Sequence, residues 1–232
     1  MGASGVEPEL QKAVVQIGSR CSGTLVAADG VLTSAHCLTV SIDEIFVNGT
    51  AFRVTKCERD GAYRPGLPAH DLGYCRLATA SAGAIAIDDG PPPAIGTPVE
   101  LAGYGVSGAP GRDCPALKTV GASVVGVHPE RIEVRAATAT ACRGESGGPM
   151  LVDHAGALRV AGVIQGAEGT VCASATEVVP VSGERDWLRA QIVGPSNVAS
   201  RWWGRHAAPL LLGWLLLDAA IVAFIWWRRA RR

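Results

Sequence analysis

The sequence predicts an all-β protein built as two barrels, and three observations carry that reading. The chain has 232 residues, enough for one double-barrel unit or two small domains. Short apolar runs alternate with Gly, Asp and Pro turns at short intervals, the pattern of small strands. One stretch, Asp88-Asp89-Gly90-Pro91-Pro92-Pro93-Ala94, cannot be a central strand, because proline brings no N–H to a ladder. It reads as the linker between a first barrel over about 13–87 and a second over about 99–181.

Residues 1–12 are polar. The first β-rich run is 13–17. The apolar run 23–27 leads into Ala28-Asp29-Gly30, a hairpin signal, and 31–34 reads as the return strand with His36 at its end. Second-barrel strands are placed at 99–103, 119–127, 131–134, 150–152, 158–165 and 177–181. Ser182 is then a plausible N-cap, and Glu184 and Asp186 fall in a first helical turn. Trp187, Leu188 and Ile192 give that short helix one apolar face. Gly194-Pro195-Ser196-Asn197 ends it, so the main domain is read as 1–192 and a linker as 193–206.

The chemistry concentrates in Gly144-Glu145-Ser146-Gly147-Gly148-Pro149. Glycines let backbone N–H groups approach a ligand closely, and a turn of this kind can aim the N–H groups of Gly144 and Ser146 at one oxyanion. A serine hydroxyl needs a general base. The candidate base is His36, in Leu32-Thr33-Ser34-Ala35-His36-Cys37. The candidate orienter of that base is Asp71, in Asp71-Leu72-Gly73-Tyr74-Cys75-Arg76-Leu77. The other histidines, His70, His128, His154 and His206, lack such context and read as surface residues.

These segments resemble the trypsin-like, chymotrypsin-fold serine peptidases. Cys21-Ser22-Gly23-Thr24-Leu25-Val26 and the His36 segment are similar to the family's surroundings of its catalytic His. The Asp71 and Ser146 segments are similar to the other two motifs, with Glu145 where Asp is usual, and Gly103-Tyr104-Gly105 is similar to a Gly-Trp-Gly turn. The resemblance covers roughly 13–192. It implies two six-stranded Greek-key barrels with the active site in the cleft between them and a short C-terminal helix. It also implies peptide-bond hydrolysis through an acyl-enzyme, with Ser146 as nucleophile, His36 as base, Asp71 as orienter and the Gly144 and Ser146 N–H groups as oxyanion hole. The substrate is then a protein or peptide, with no cofactor and no metal. A catalytically silent member of the fold serving as a binding module is the alternative.

The resemblance also places a specificity pocket. Thr140, six residues before the nucleophile, stands at its base, with Thr176 lining it and Gly166 at its mouth. Thr140 carries no charge, so the expected preference is for small or uncharged P1 residues rather than Arg or Lys. Gln165 and Ile164 replace the family's usual Trp and Ser. The acid before the nucleophile normally pairs with a new N-terminus, and Gly2-Ala3-Ser4-Gly5 shows no basic cleavage site ahead of it, which leaves the activation route open.

There are seven cysteines. The resemblance pairs Cys21 with Cys37 and Cys142 with Cys172, which implies an oxidising compartment. Cys57, Cys75 and Cys114 are left over, with at least one of them unpaired or bonded between chains.

Charge is uneven although the whole chain is neutral. Residues 201–232 hold six Arg and one acid, Asp218, which leaves 15 basic and 20 acidic residues, net −5, in 1–200. That balance argues against nucleic-acid binding. Residues 207–227 are 21 almost wholly apolar residues, and about 20 span a bilayer core. Trp202, Trp203, Trp226 and Trp227 sit at the two ends of this stretch, and the basic tail 228–232 marks the cytoplasmic side. A hydrophobic helix followed by arginines also looks like the removable sorting tags of bacterial surface proteins. The expectation is a bacterial-type peptidase anchored through 207–227, with its catalytic domain in the periplasm or at the cell surface. Met1 is not followed by a basic and then an apolar stretch, so an export signal is expected upstream of it.

Overall fold

Short strands close into two barrels of the same design. The structure is a computed structural model that describes residues 7–105, 117–137, 141–142, 144–166, 172–173 and 175–194, the side chains of 141, 142, 166, 172 and 173 excepted. Residues 1–188 form one unit, which holds both barrels, and residues 189–232 form another.

The first barrel comprises β1 (Val14–Ile17), β2 (Cys21–Ala27), β3 (Gly30–Thr33), β4 (Glu44–Val47), β5 (Thr50–Arg59) and β6 (Gly73–Leu77), closed in the order β1-β2-β3-β6-β5-β4. The second half of the chain supplies β7 (Pro98–Gly103), β8 (Lys118–Val127), β9 (Ile132–Arg135), β10 (Ala141–Cys142), β11 (Pro149–His154), β12 (Ala157–Gly166), β13 (Cys172–Ala173) and β14 (Ala175–Pro180). Six of these close as β7-β8-β9-β14-β12-β11, and β10 pairs with β13 alongside. In each barrel the fourth strand returns to lie beside the first, the Greek-key arrangement.

Hydrophobic burial holds each barrel separately. Leu25, Val31 and Ile45 are fully buried in the first, Ile132, Val134 and Ile164 in the second. Each such side chain contributes about 1.5–3 kcal/mol. Along β8 the side chains of Ala122 and Val124 go in and those of Ser123 and Val125 stay out, the two-residue period of a sheet with one core face. The expected hairpin after Ala27 is present, and it needs Gly30, because a Cβ there would lie 1.8 Å from the Tyr74 hydroxyl oxygen.

Several expectations are corrected. Pro8–Ala13 forms a helix (α1), with Leu10 and Ala13 fully buried, so Ala13 ends a helix instead of starting a strand. Pro8 in its first turn favours that start. The first barrel also ends sooner than 87. Ile87 bridges to Val160 of β12, and Asp88 N–H donates to the Val160 carbonyl at 2.9 Å, so the linker's first residues already belong to the second barrel's edge. Ser182 is not an N-cap. It lies inside a 3-10 turn, Val181–Glu184, whose cap position is Pro180. A helix follows over 185–194. At its start the Arg185 guanidinium donates to the Gly90 carbonyl of the linker.

The leftover cysteines are resolved in part. Cys57 and Cys75 face each other across β5 and β6 and form a disulfide, a pairing that the sequence reading left open. Among the described residues no helix is long and apolar enough to cross a membrane; the segment 207–227, Trp202, Trp203 and Cys114 lie outside those residues.

Candidate active site

The candidate base sits in a 3-10 turn, Ala35–Leu38, immediately after β3. The Cys21–Cys37 disulfide ties that turn to the start of β2, as expected. Asp71 lies just before β6 and is 1% exposed. It reaches His36 twice: Oδ2 is 2.6 Å from the imidazole Nδ1, and Oδ1 accepts the His36 backbone N–H at 2.8 Å. With Nδ1–H donating to the carboxylate, a neutral imidazole keeps Nε2 as its acceptor. A buried carboxylate requires such partners, and the two bonds orient the ring.

Ser146 stands on the glycine turn between β10 and β11. Gly144 has φ +103°, and a Cβ there would meet the Tyr104 carbonyl at 2.7 Å. Gly147 has φ +86°, and its Cβ would lie 2.2 Å from both the Ser22 carbonyl and Thr33 Oγ1. Gly147 can therefore press against the first barrel, and Gly144 against the Tyr104 segment after β7, only as glycine. Gly148 N–H donates to the Glu145 carbonyl at 2.9 Å and Gly147 N–H to the Ile164 carbonyl at 2.7 Å. Among the described residues the N–H groups of Gly144 and Ser146 have no acceptor.

The Ser146 hydroxyl donates to the Gln165 carbonyl at 3.1 Å and makes no hydrogen bond to His36. The register of β12 against β14 shifts between Ile164 and Gly166, so Gln165 is the extra residue of a β-bulge. Bulges re-aim the backbone, and here the bulged carbonyl is the one that Ser146 meets. Sequence reasoning noted Gln165 only as a departure from the family. A bulge leaves little trace in a strand pattern.

Three further contacts went unread in the sequence. Ser22 N–H donates to the Ser146 carbonyl at 2.7 Å, Ser22 Oγ donates to the Gly144 carbonyl at 2.8 Å, and Ser34 Oγ donates to the Ile164 carbonyl at 3.0 Å. All three cross from the first barrel to the second and bring the His36 and Ser146 segments together. Glu145 is 6% exposed and packs against Gly105, where a Cβ would lie 2.6 Å from its carboxylate.

The remaining candidate residues separate. Thr140 lies outside the described residues. Thr176 is 4% exposed on β14, and Gly166 ends β12 opposite Glu177. Glu177 pairs with Arg131, Nε to Oε1 3.3 Å. Cys142 and Cys172 are backbone partners in the β10–β13 ladder; their side chains lie outside the described ones. His128 and His154 are exposed and pair with Glu133 and Asp88. His70 is not a plain surface residue. It has φ +57° and forms an ion pair with Glu184, beside the buried Asp60. Burial, and then the charge of Asp60, push the Glu184 carboxyl above its ordinary range, against the opposing pull of His70. Burial likewise raises Tyr104 and pushes Tyr74 up to about 12.

Two groups of metal-ligating atoms converge among the described residues, Cys21 with His36 and Cys37, and Asp60 with His70 and Glu184. In the first, the sulfurs are spent in a disulfide and His36 is held by Asp71. The second joins Asp60 and His70, on the loop that carries Asp71, to Glu184 of the Val181–Glu184 turn.

This arrangement, with matching His, Asp and Ser segments in that chain order on two like barrels, agrees with the family comparison. The trypsin family model matches residues 5–188. The chain belongs to the trypsin family. Human heparin binding protein is similar in structure, with TM-score 0.70 and 20% identity over 84% of this chain and 97% of that one. Neuropsin, a serine protease expressed in the limbic system of mouse brain, is similar at TM-score 0.66 and 16% identity over 79% of this chain and 96% of that one. At these identities the solved structures share the fold. No curated protein matches the sequence. As a trypsin-like domain, the chain carries the scaffold of a hydrolase that acts on proteins.

Proposed function

We propose that this chain is an active serine endopeptidase. The observation that carries the reading is the buried Asp71 holding His36 by both oxygens, in a protein whose Ser146 stands on a glycine turn pressed against the same barrel. When substrate enters, the Ser146 hydroxyl leaves the Gln165 carbonyl for His36 Nε2. Ser146 Oγ then attacks the scissile carbonyl, and His36 takes the hydroxyl proton. The carbonyl oxygen, now an oxyanion, accepts from the Gly144 and Ser146 N–H groups. His36 returns the proton to the leaving amine, and water hydrolyses the acyl-enzyme by the same steps.

P1 is small or uncharged in this reading. Thr140 offers no counter-charge, and Glu177, the nearest acid in sequence to Thr176, is engaged by Arg131 on the exposed side of β14. The chain is further read as bacterial-type and anchored through 207–227, with its peptidase domain outside the cytoplasm. The 21-residue apolar length and the terminal arginines support that topology. The two disulfides suit an oxidising compartment.

The second reading is a silent binding module, and the Ser146–Gln165 hydrogen bond favours it. A heparin-like polyanion is a poor ligand for such a module, because residues 1–200 carry net −5. Fluorophosphonate labelling decides between the two. Labelling of the full chain that is lost in Ser146→Ala supports the enzyme, and a wild-type chain that stays unlabelled supports the module. Protease-accessibility mapping tests the topology, which fails if residues 1–200 are cytoplasmic in the native cell.

A further inference from the structure

Ser22 is fully buried at the second position of β2, and all of its polar groups are engaged around the nucleophile turn. Its hydroxyl donates to the Gly144 carbonyl at 2.8 Å and accepts the Tyr104 N–H at 2.8 Å. Its N–H donates to the Ser146 carbonyl at 2.7 Å. Its carbonyl accepts from Thr33 Oγ1 at 2.7 Å. One residue of the first barrel therefore grips the turn on both sides of Glu145, at the carbonyls of 144 and 146.

The backbone contact from Ser22 N–H would survive any non-proline side chain at this position. The hydroxyl contact would not. Gly144, with no side chain and φ +103°, is little restrained by its own sterics. An anchor on its carbonyl restricts the rotation that would swing the turn away. The hydroxyl in turn is aimed by Tyr104 N–H, a backbone donor on the Gly103-Tyr104-Gly105 segment, so it is not free to rotate to another acceptor. Electrostatic stabilisation of an oxyanion requires donors that are already in place, because donors that must reorganise lose most of their effect.

We propose that Ser22 is a positioning residue that pre-orders the oxyanion-binding turn from the opposite barrel, through its hydroxyl bridge between the Gly144 carbonyl and the Tyr104 N–H. This rests on the proposed peptidase activity. The Ser22 hydroxyl touches no reacting atom and reaches the turn only at the Gly144 carbonyl, so its contribution falls on kcat and on transition-state mimics, and not on ground-state binding.

The test uses the full chain with Ser22→Ala and Ser22→Gly, active sites being counted by fluorophosphonate titration. Loss of one oxyanion donor costs about 10²–10³-fold in kcat. Loss of the hydroxyl bridge is expected to lower kcat per titrated site by ~10–100-fold, part of that loss, with KM unchanged and affinity for a peptide boronate weakened in proportion to kcat. A per-site kcat and boronate affinity equal to the wild type's overturn the proposal, even if thermal stability falls, since a merely structural residue would change the folded fraction and not the per-site rate. Should neither variant fold, the wild-type chain still decides through amide relaxation of Gly144. An order parameter near ~0.85 without ligand supports pre-ordering, and one below ~0.6 that rises only with boronate overturns it. A wild-type chain that takes no label at all refutes the peptidase reading itself, a result distinct from these.

Discussion

Asp71 holds His36 with both carboxylate oxygens, Oδ2 at 2.6 Å from Nδ1 and Oδ1 at 2.8 Å from the backbone N–H. The grip decides which imidazole nitrogen carries the proton, because an acceptor-only group at Nδ1 leaves Nε2 bare. Asp71→Asn keeps the shape but can present an NH2 donor to Nδ1 and so favour the wrong tautomer. The expected loss is about 10⁴-fold in kcat. Ser146→Ala or His36→Ala should each cost ~10⁶-fold. Single-turnover assays on folded protein check both; wild-type turnover in Ser146→Ala would sink the mechanism.

Gly147 lies against the first barrel with no room for a side chain. Gly147→Ala would force a Cβ to within 2.2 Å of the Ser22 carbonyl and Thr33 Oγ1 at a φ of +86°. Backbone strain alone costs about 1–3 kcal/mol, and the clash adds to it. Urea unfolding should show a lower midpoint together with lost activity. A variant as stable and active as wild type would mean that the turn is not packed this way.

The Cys57–Cys75 bridge closes a sequence separation of 18 residues. A loop near that size is stabilised by about 3 kcal/mol when cross-linked. The double variant Cys57→Ser with Cys75→Ser should unfold at lower denaturant, while turnover per folded molecule is retained because neither sulfur contacts His36 or Ser146. Peptide mapping without reduction should find the bridge in the native protein, and free thiols at both positions would contradict the fold.

Glu184 binds its proton more tightly in the folded chain than in the unfolded one, because it is partly buried and faces Asp60. The folded state therefore carries the excess proton in the window just above the ordinary value of 4.5. The stability due to this group is full below that value and is lost as pH rises through the folded pKa. Glu184→Gln removes the titration but keeps the shape. Its stability relative to wild type should rise with pH across that window. Thermal melts at several pH values check this, and a pH-independent difference would show that Glu184 does not titrate abnormally.

The motifs that identify the family were legible because each is a local string. His36, Asp71 and Ser146 sit in short segments whose composition reports a strand end, the approach to another strand and a glycine turn. Both barrels were legible from apolar runs and the proline break, since strand periodicity is a local property. Cys57 and Cys75 were not paired from the sequence, because a cross-strand bridge depends on the register of β5 against β6. His70 was read as a surface residue because its partner, Glu184, lies more than a hundred positions away.

The sequence by itself determined the all-β class, the Cys21–Cys37 bridge implied by the family resemblance, and the residues able to carry acyl transfer. Tertiary structure alone decided how they meet. Gln165 lies on a bulge, which depends on how β12 registers against β14, and Ser22 finds the Gly144 carbonyl across 122 positions. Such contacts depend on how one barrel is placed against the other. A hydroxyl in a strand carries no local mark of the carbonyl that packing will bring to it.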